Sequence, residues 1–173
     1  MEDLFLLHTH MNMLNEKEIY ELLSEIPDPE IPVITIKDLG ILQRVELKGG
    51  NCEVYITPTY SGCPAMKLIE DQIKEALADK NVGNIIVKLV YAPTWTTDWI
   101  TPEAKEKLRQ YGIAPPLHSS VDKGVLIGKA KILKCPQCGS QNTEMISQFG
   151  STACKALYKC LDCKEPFDYF KCI

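Results

Sequence analysis

The sequence predicts an α+β protein: a small α-β-β-α-β unit with its helices on one face of a sheet, then a three-stranded β-ribbon clasped on zinc by four cysteines. Three observations carry that expectation. Along the first 112 residues the apolar period changes in the order helix, strand, strand, helix, strand. A Gly49-Gly50 pair separates the first two strand patterns, as a tight hairpin requires. Near the C-terminus, Cys135-Pro136-Gln137-Cys138 and Cys160-Leu161-Asp162-Cys163 stand twenty-one residues apart, a spacing that lets four thiolates surround one tetrahedral ion and leave no open position.

Taken in order, Asn15 reads as a helix N-cap with Glu18 three residues on, and Ile19, Leu22, Leu23 and Ile26 share one helical face. Pro27, Pro29 and Pro32 then force an extended loop around Asp28 and Glu30. Ile41, Val45 and Leu47 alternate with polar residues as a half-buried strand, and Cys52, Val54 and Ile56 form the returning strand, which places Cys52 in the core. In the loop Thr57-Pro58-Thr59-Tyr60-Ser61-Gly62-Cys63-Pro64, Pro64 suits the first helical position and makes Cys63 the cap of a helix bearing Met66, Ile69, Ile73 and Leu77. Residues 85–91, apolar on both faces, read as a covered strand. Trp95 and Trp99 flank a loop with Asp98, and Thr101-Pro102 opens a short helix closed by Gly112.

The expected domains are an N-terminal extension (1–14), the α/β unit (15–112), a connector with a short strand at 125–127 (113–133) and the ribbon (134–173). Ribbon strands are expected near 143–149, 155–159 and 167–170, with Gly139 supplying the backbone freedom that follows a knuckle. Ile146, Leu157 and three late aromatics are too few to offset chain entropy over about 40 residues. Structural zinc, worth roughly 10–16 kcal/mol, would make up the difference.

Composition narrows the function. The chain has 173 residues, 45% hydrophobic, enough for one sizeable core and a small second unit. Neither a signal peptide nor a membrane-spanning run is expected, which points to the cytoplasm and to metal or thiol chemistry for its eight cysteines. Residues 1–112 carry net −7 and residues 134–173 net +1. Such a chain lacks the clustered cations that nucleic-acid binding needs.

Cys63 is the most reactive candidate, because a helix N-terminus favours a thiolate. Asp28 and Glu30 are candidate carboxylates for the same cleft, with Thr59, Ser61 and Asp98 as lining residues. His8, His10 and His118 lie outside these motifs, so a Cys-His pair has poor support. Cys154 and Cys172 stay open between an inert role, pairing under oxidation and transient metal binding.

Three linked segments, Asp28-Pro29-Glu30-Ile31-Pro32-Val33, Asp38-Leu39-Gly40-Ile41 and the Cys63 loop, resemble the iron-sulfur cluster assembly domain of the SufT and cytosolic-targeting type. The tail, through Cys135 to Ser140, Phe149-Gly150-Ser151-Thr152, Cys154-Lys155-Ala156 and Glu165-Pro166-Phe167, resembles the PaaD family, accessory proteins of the phenylacetyl-CoA epoxidase. The resemblance spans about residues 15–173. It implies an accessory or assembly factor without turnover of its own, maturing the iron-sulfur or di-iron centres of that monooxygenase in aerobic phenylacetate catabolism. Its implied partners are epoxidase components, including the iron-sulfur reductase, and the iron-sulfur assembly machinery. It implies transient iron or cluster at Cys63, Asp28 and Glu30, and zinc at Cys135, Cys138, Cys160 and Cys163. A non-catalytic scaffold subunit is the alternative, and a thiol enzyme acting on an acyl-CoA is a third.

Overall fold

The computed structural model describes residues 14–117 and 132–171. Helix α1, Glu16–Ser24, starts with a full capping box: Glu18 N–H donates to Asn15 Oδ1 at 3.0 Å and Asn15 N–H to Glu18 Oε2 at 2.8 Å. Strands β1, Leu42–Lys48, and β2, Asn51–Ile56, pair antiparallel through a turn with Gly49 at φ 57° and Gly50 at φ 79°. Two successive positive φ values match the strand twist and favour glycine at both sites. Helix α2, Ala65–Leu77, crosses over to β3, Asn84–Leu89, which runs parallel to β2, so the sheet order is β1-β2-β3.

Ile19 and Leu23 of α1 and Ile69, Ile73 and Leu77 of α2 bury one face of this sheet against Val45, Cys52, Val54 and Ile56. Across the sheet from these apolar positions lies a charged lattice. Arg44 sits 3.6 Å above the Tyr55 ring centroid, Glu46 accepts from Arg44 at 2.8 Å, and Lys88 pairs with Glu53 at 2.6 Å. This corrects the expectation for β3. The strand is an edge with one helix-covered face, so its residues are half-buried and Leu89 is exposed.

A 3-10 turn, Thr97–Trp99, leads into α3, Pro102–Gln110, which is capped by Thr101 Oγ1 accepting from Ala104 N–H at 3.1 Å. Strand β4, Ile113–Ala114, then pairs parallel with the last strand of the C-terminal sheet. The ribbon strands β5, Thr143–Ser147, β6, Lys155–Cys160, and β7, Pro166–Phe170, thereby gain a fourth member, in the order β4-β7-β6-β5. The start of the expected connector is thus part of the ribbon's sheet. The strand expected at 125–127, His8, His10, His118 and Cys172 lie outside the described residues.

The ribbon's small core is aromatic rather than aliphatic. Tyr158 stacks on Phe167 and meets Tyr169 edge-on, each pair with centroids 5.9 Å apart. Ile146 is exposed and Leu157 only half-buried, because Ala156, Tyr158 and Cys160 hold the inward positions of β6. Phe170 and Cys154 face away from that core into the main one, where Phe170 meets Trp95 edge-on at 6.3 Å. Trp95 is itself fixed by Nε1 donating to the Leu39 carbonyl at 2.7 Å. The two units therefore share a buried seam.

Candidate metal sites

The loop after α1 is shaped by Asp28. Its Oδ1 accepts from Glu30 N–H at 2.9 Å and Ile31 N–H at 2.8 Å, while Asp28 N–H donates to the Ile34 carbonyl at 2.9 Å. A short side chain that bonds backbone two and three residues on closes the turn without help from regular structure. Asp28 is buried, and Glu30 emerges half-buried from the turn it closes. Cys63 arrives from the β2-α2 loop. Cys63 is half-buried, and the Ala65 N–H and the Tyr60 hydroxyl both favour its ionised form. Asp28, Glu30, Thr59, Cys63 and Cys154 line one narrow cleft floored by Ile69 and Phe170, with a void of about 10 Å³. Within it the Cys154 thiol donates to Glu30 Oε2 at 3.6 Å, across 124 residues of sequence. Cys63 also borders a second, open groove of about 450 Å³ lined by Ile56, Met66, Val87 and Leu89 together with the charged Lys67 and Glu70.

The second constellation is in the ribbon. The sulfurs of Cys135, Cys138, Cys160 and Cys163 all lie within 4.8 Å of one another, with Cys135 and Cys163 3.8 Å apart and Cys138 and Cys160 3.6 Å apart. Those distances are far beyond the disulfide length of about 2.05 Å. They match the separation of about 3.8 Å between sulfurs each about 2.3 Å from one tetrahedral ion. The four residues fit a closed metal shell. Each knuckle turns through a left-handed residue, Gly139 at φ 77° and Lys164 at φ 69°. Asp162 ties the knuckles together, accepting from Ser140 Oγ and, at 2.8 Å, from Asn142 Nδ2.

Comparison with known proteins matches both units separately. The family described as "PaaD zinc beta ribbon domain" matches residues 119–171, and "Iron-sulfur cluster assembly protein" matches residues 16–87. An Escherichia coli protein, named as one of the subunits of a "Putative 1,2-phenylacetyl-CoA epoxidase", is 51% identical over 90% of this chain and 92% of its own length. The chain belongs to the PaaD family. An "Fe-S protein maturation auxiliary factor" of Bacillus subtilis is 35% identical over 52% of this chain and 89% of its own. A crystal structure of a domain of unknown function from Bacillus anthracis covers 54% of this chain and 90% of its own, at 29% identity and a TM-score of 0.49.

In this PaaD-family chain the cleft modifies what its sequence suggested for Cys63. The helix is assigned from Ala65 with Pro64, already in helical backbone, at the cap position, so Cys63 sits one residue outside it. The expected thiolate is not favoured. Burial raises the Cys63 thiol above its ordinary value, and the charges of Glu30 and Asp28 add to that, outweighing the opposing pull of the Ala65 N–H and the Tyr60 hydroxyl. Cys154 is pushed up to about 11, chiefly by burial. Burial also raises Asp28. The resting cleft therefore holds neutral thiols. Alkylation of Cys63 by iodoacetamide should be slower than for a free thiol at pH 8 and should keep accelerating past the ordinary value of 9.0. Glu30→Gln removes a like charge and should move that profile to lower pH. A Cys63 profile with its midpoint below the ordinary value, read by mass spectrometry of the alkylated peptide, would contradict this electrostatic picture.

The remaining candidates disperse. Thr59 lines the cleft. Ser61 is exposed and faces a neighbouring hollow with Tyr60, Tyr91 and Trp95. Asp98 is exposed on the 3-10 turn and lines neither the cleft nor the hollow. Cys52 is fully buried in the core. Cys154 is the residue whose place its sequence left undecided. No local pattern links it to Glu30, although the turn Gly150-Ser151-Thr152-Ala153 ahead of it signals an irregular approach to β6.

Proposed function

We propose that this chain is an accessory protein of phenylacetyl-CoA epoxidase that helps mature the enzyme's iron-sulfur or di-iron centres. Cys63 transiently receives iron or a cluster and yields it to an epoxidase component, the iron-sulfur reductase among the candidates. The observation that carries this reading is the position of Cys63. The residue lines both a carboxylate-bearing cleft and an open groove, apolar with Lys67 and Glu70 in its wall, against which a recipient can dock. The names of the two relatives support it, one an epoxidase component and the other an iron-sulfur maturation factor. Zinc fills the four-sulfur clasp and has a structural role there. Among the described residues no helix is long and apolar enough to cross a membrane, and we place the protein in the cytoplasm, supplied by the iron-sulfur assembly machinery.

A thiol that is neutral at rest still serves such a role, because the incoming metal displaces its proton. Cys63→Ser should leave the fold intact and lower the iron content of epoxidase purified from cells carrying the variant by tenfold or more. Wild-type iron loading with the variant would overturn the reading. It would favour instead a non-catalytic scaffold subunit, to which the raised Cys63 thiol also lends support.

A further inference from the structure

Cys154 belongs to the ribbon by sequence, yet its thiol is buried in the cleft of the other unit, outside the four-sulfur clasp. Building on the reading of Cys63 as the iron-receiving sulfur, the geometry points to a second metal site, for one divalent ion of the ferrous class, held by the Cys63 and Cys154 thiolates and the Glu30 carboxylate.

Three features support a single ion. The separation of Cys154 Sγ and Glu30 Oε2, 3.6 Å, is the bite the two would have on one tetrahedral ion, since a sulfur at about 2.3 Å and an oxygen at about 2.0–2.2 Å from it stand about 3.6 Å apart. The void between them and Cys63, about 10 Å³, is on the scale of one water. It suits a lone ion. Soft sulfur paired with a carboxylate also suits a borderline transition ion better than magnesium or calcium.

The donors line one cleft without meeting in a finished shell. Among the described residues, the ribbon clasp is the group whose ligand atoms all lie within 4.8 Å. Binding would therefore draw Cys63 inward as both thiols release their protons to solvent, with no electron transferred. Three protein donors leave a fourth position open, which a recipient's ligand can enter before Cys63 departs. Asp28 is a positioning residue here, because its hydrogen bonds to Glu30 N–H and Ile31 N–H present the Glu30 carboxylate to Cys154. Strand β6 runs from Lys155, next to Cys154, to the clasp ligand Cys160, so the zinc site holds the second thiol in place.

The test is an anaerobic titration of zinc-loaded full-length protein with Co²⁺, read by its thiolate-to-cobalt charge-transfer absorption. Wild type should take up one equivalent beyond zinc. Cys154→Ser and Cys63→Ser should each weaken that uptake at least tenfold and roughly halve the charge-transfer intensity. Glu30→Gln should weaken it with the intensity per bound cobalt unchanged. Cys154→Ala, assayed in parallel with zinc content held at one per chain, guards against a folding defect. Uptake by Cys154→Ser and Cys154→Ala with wild-type affinity and intensity would overturn the two-thiol site while leaving the Cys63 reading intact. A wild-type protein that takes no second equivalent would also overturn it, and the iron-loading assay on Cys63→Ser then decides the Cys63 reading independently.

Discussion

Stripping zinc from the clasp should unfold the ribbon while α1, α2 and their sheet stay folded. The ribbon core holds Tyr158, Phe167 and Tyr169 with Leu133 and a few small or sulfur-bearing residues, and too little apolar area is buried there to hold β5–β7 against chain entropy. Metal binding of roughly 10–16 kcal/mol supplies the difference. A strong chelator, or Cys138→Ser together with Cys163→Ser, should therefore abolish amide protection in β5–β7. Protection in α1 and α2 should persist at a reduced thermal midpoint, because Trp95 loses Phe170 and the main core loses Cys154. Hydrogen exchange followed by mass spectrometry resolves these segments. Full protection of β5–β7 in zinc-free protein would show that the seam with the main unit, not the metal, holds the ribbon.

That dependence explains which features were legible in the sequence. At several local features sequence and structure agree: Asn15 and Glu18 form their capping box within one turn, Gly49-Gly50 closes a hairpin, and each CxxC pair needs two residues between its sulfurs. The clasp was legible because the spacing restricts where four sulfurs can go. Long-range consequences were not legible. Nothing near Cys154 announces Glu30, since the two stand 124 residues apart and meet only in the folded chain. The two residues of β4 have no strand pattern of their own, and β7 recruits them. β3 is as apolar as a covered strand, but its exposure depends on its place at the sheet edge. The Cys63 thiol shows the same division. Its place at the start of a helix is a local fact that favours the thiolate, whereas the burial and carboxylates that reverse the shift come from folding. Lys164 adopts a left-handed backbone without glycine, at the turn of the second knuckle.

Phe170→Ala should loosen the seam between the units and, through it, the cleft. Phe170 is 2% exposed and packs edge-on against Trp95, and truncating a buried phenylalanine costs about 3–5 kcal/mol. For a chain of this size that corresponds to a fall in thermal midpoint of roughly 6–20 °C. The functional effect follows from register. Phe170 pairs with Lys155 across β6 and β7, and the next residue, Lys171, donates its N–H to the Cys154 carbonyl at 2.9 Å. Moving Phe170 therefore moves Cys154 away from Glu30. At a temperature where the variant stays folded and keeps its zinc, its uptake of a second divalent ion should fall as far as in Cys154→Ser, although no ligand has been removed. Phe170→Leu, which refills most of the space, should recover much of that uptake. A double-mutant cycle with Trp95→Ala should give a coupling of about 0.5–1.5 kcal/mol beyond the area each ring buries. If Phe170→Ala loses stability but binds the second ion like wild type, the ribbon's docking is structural, and Cys154 reaches the cleft by a route that does not depend on the aromatic seam.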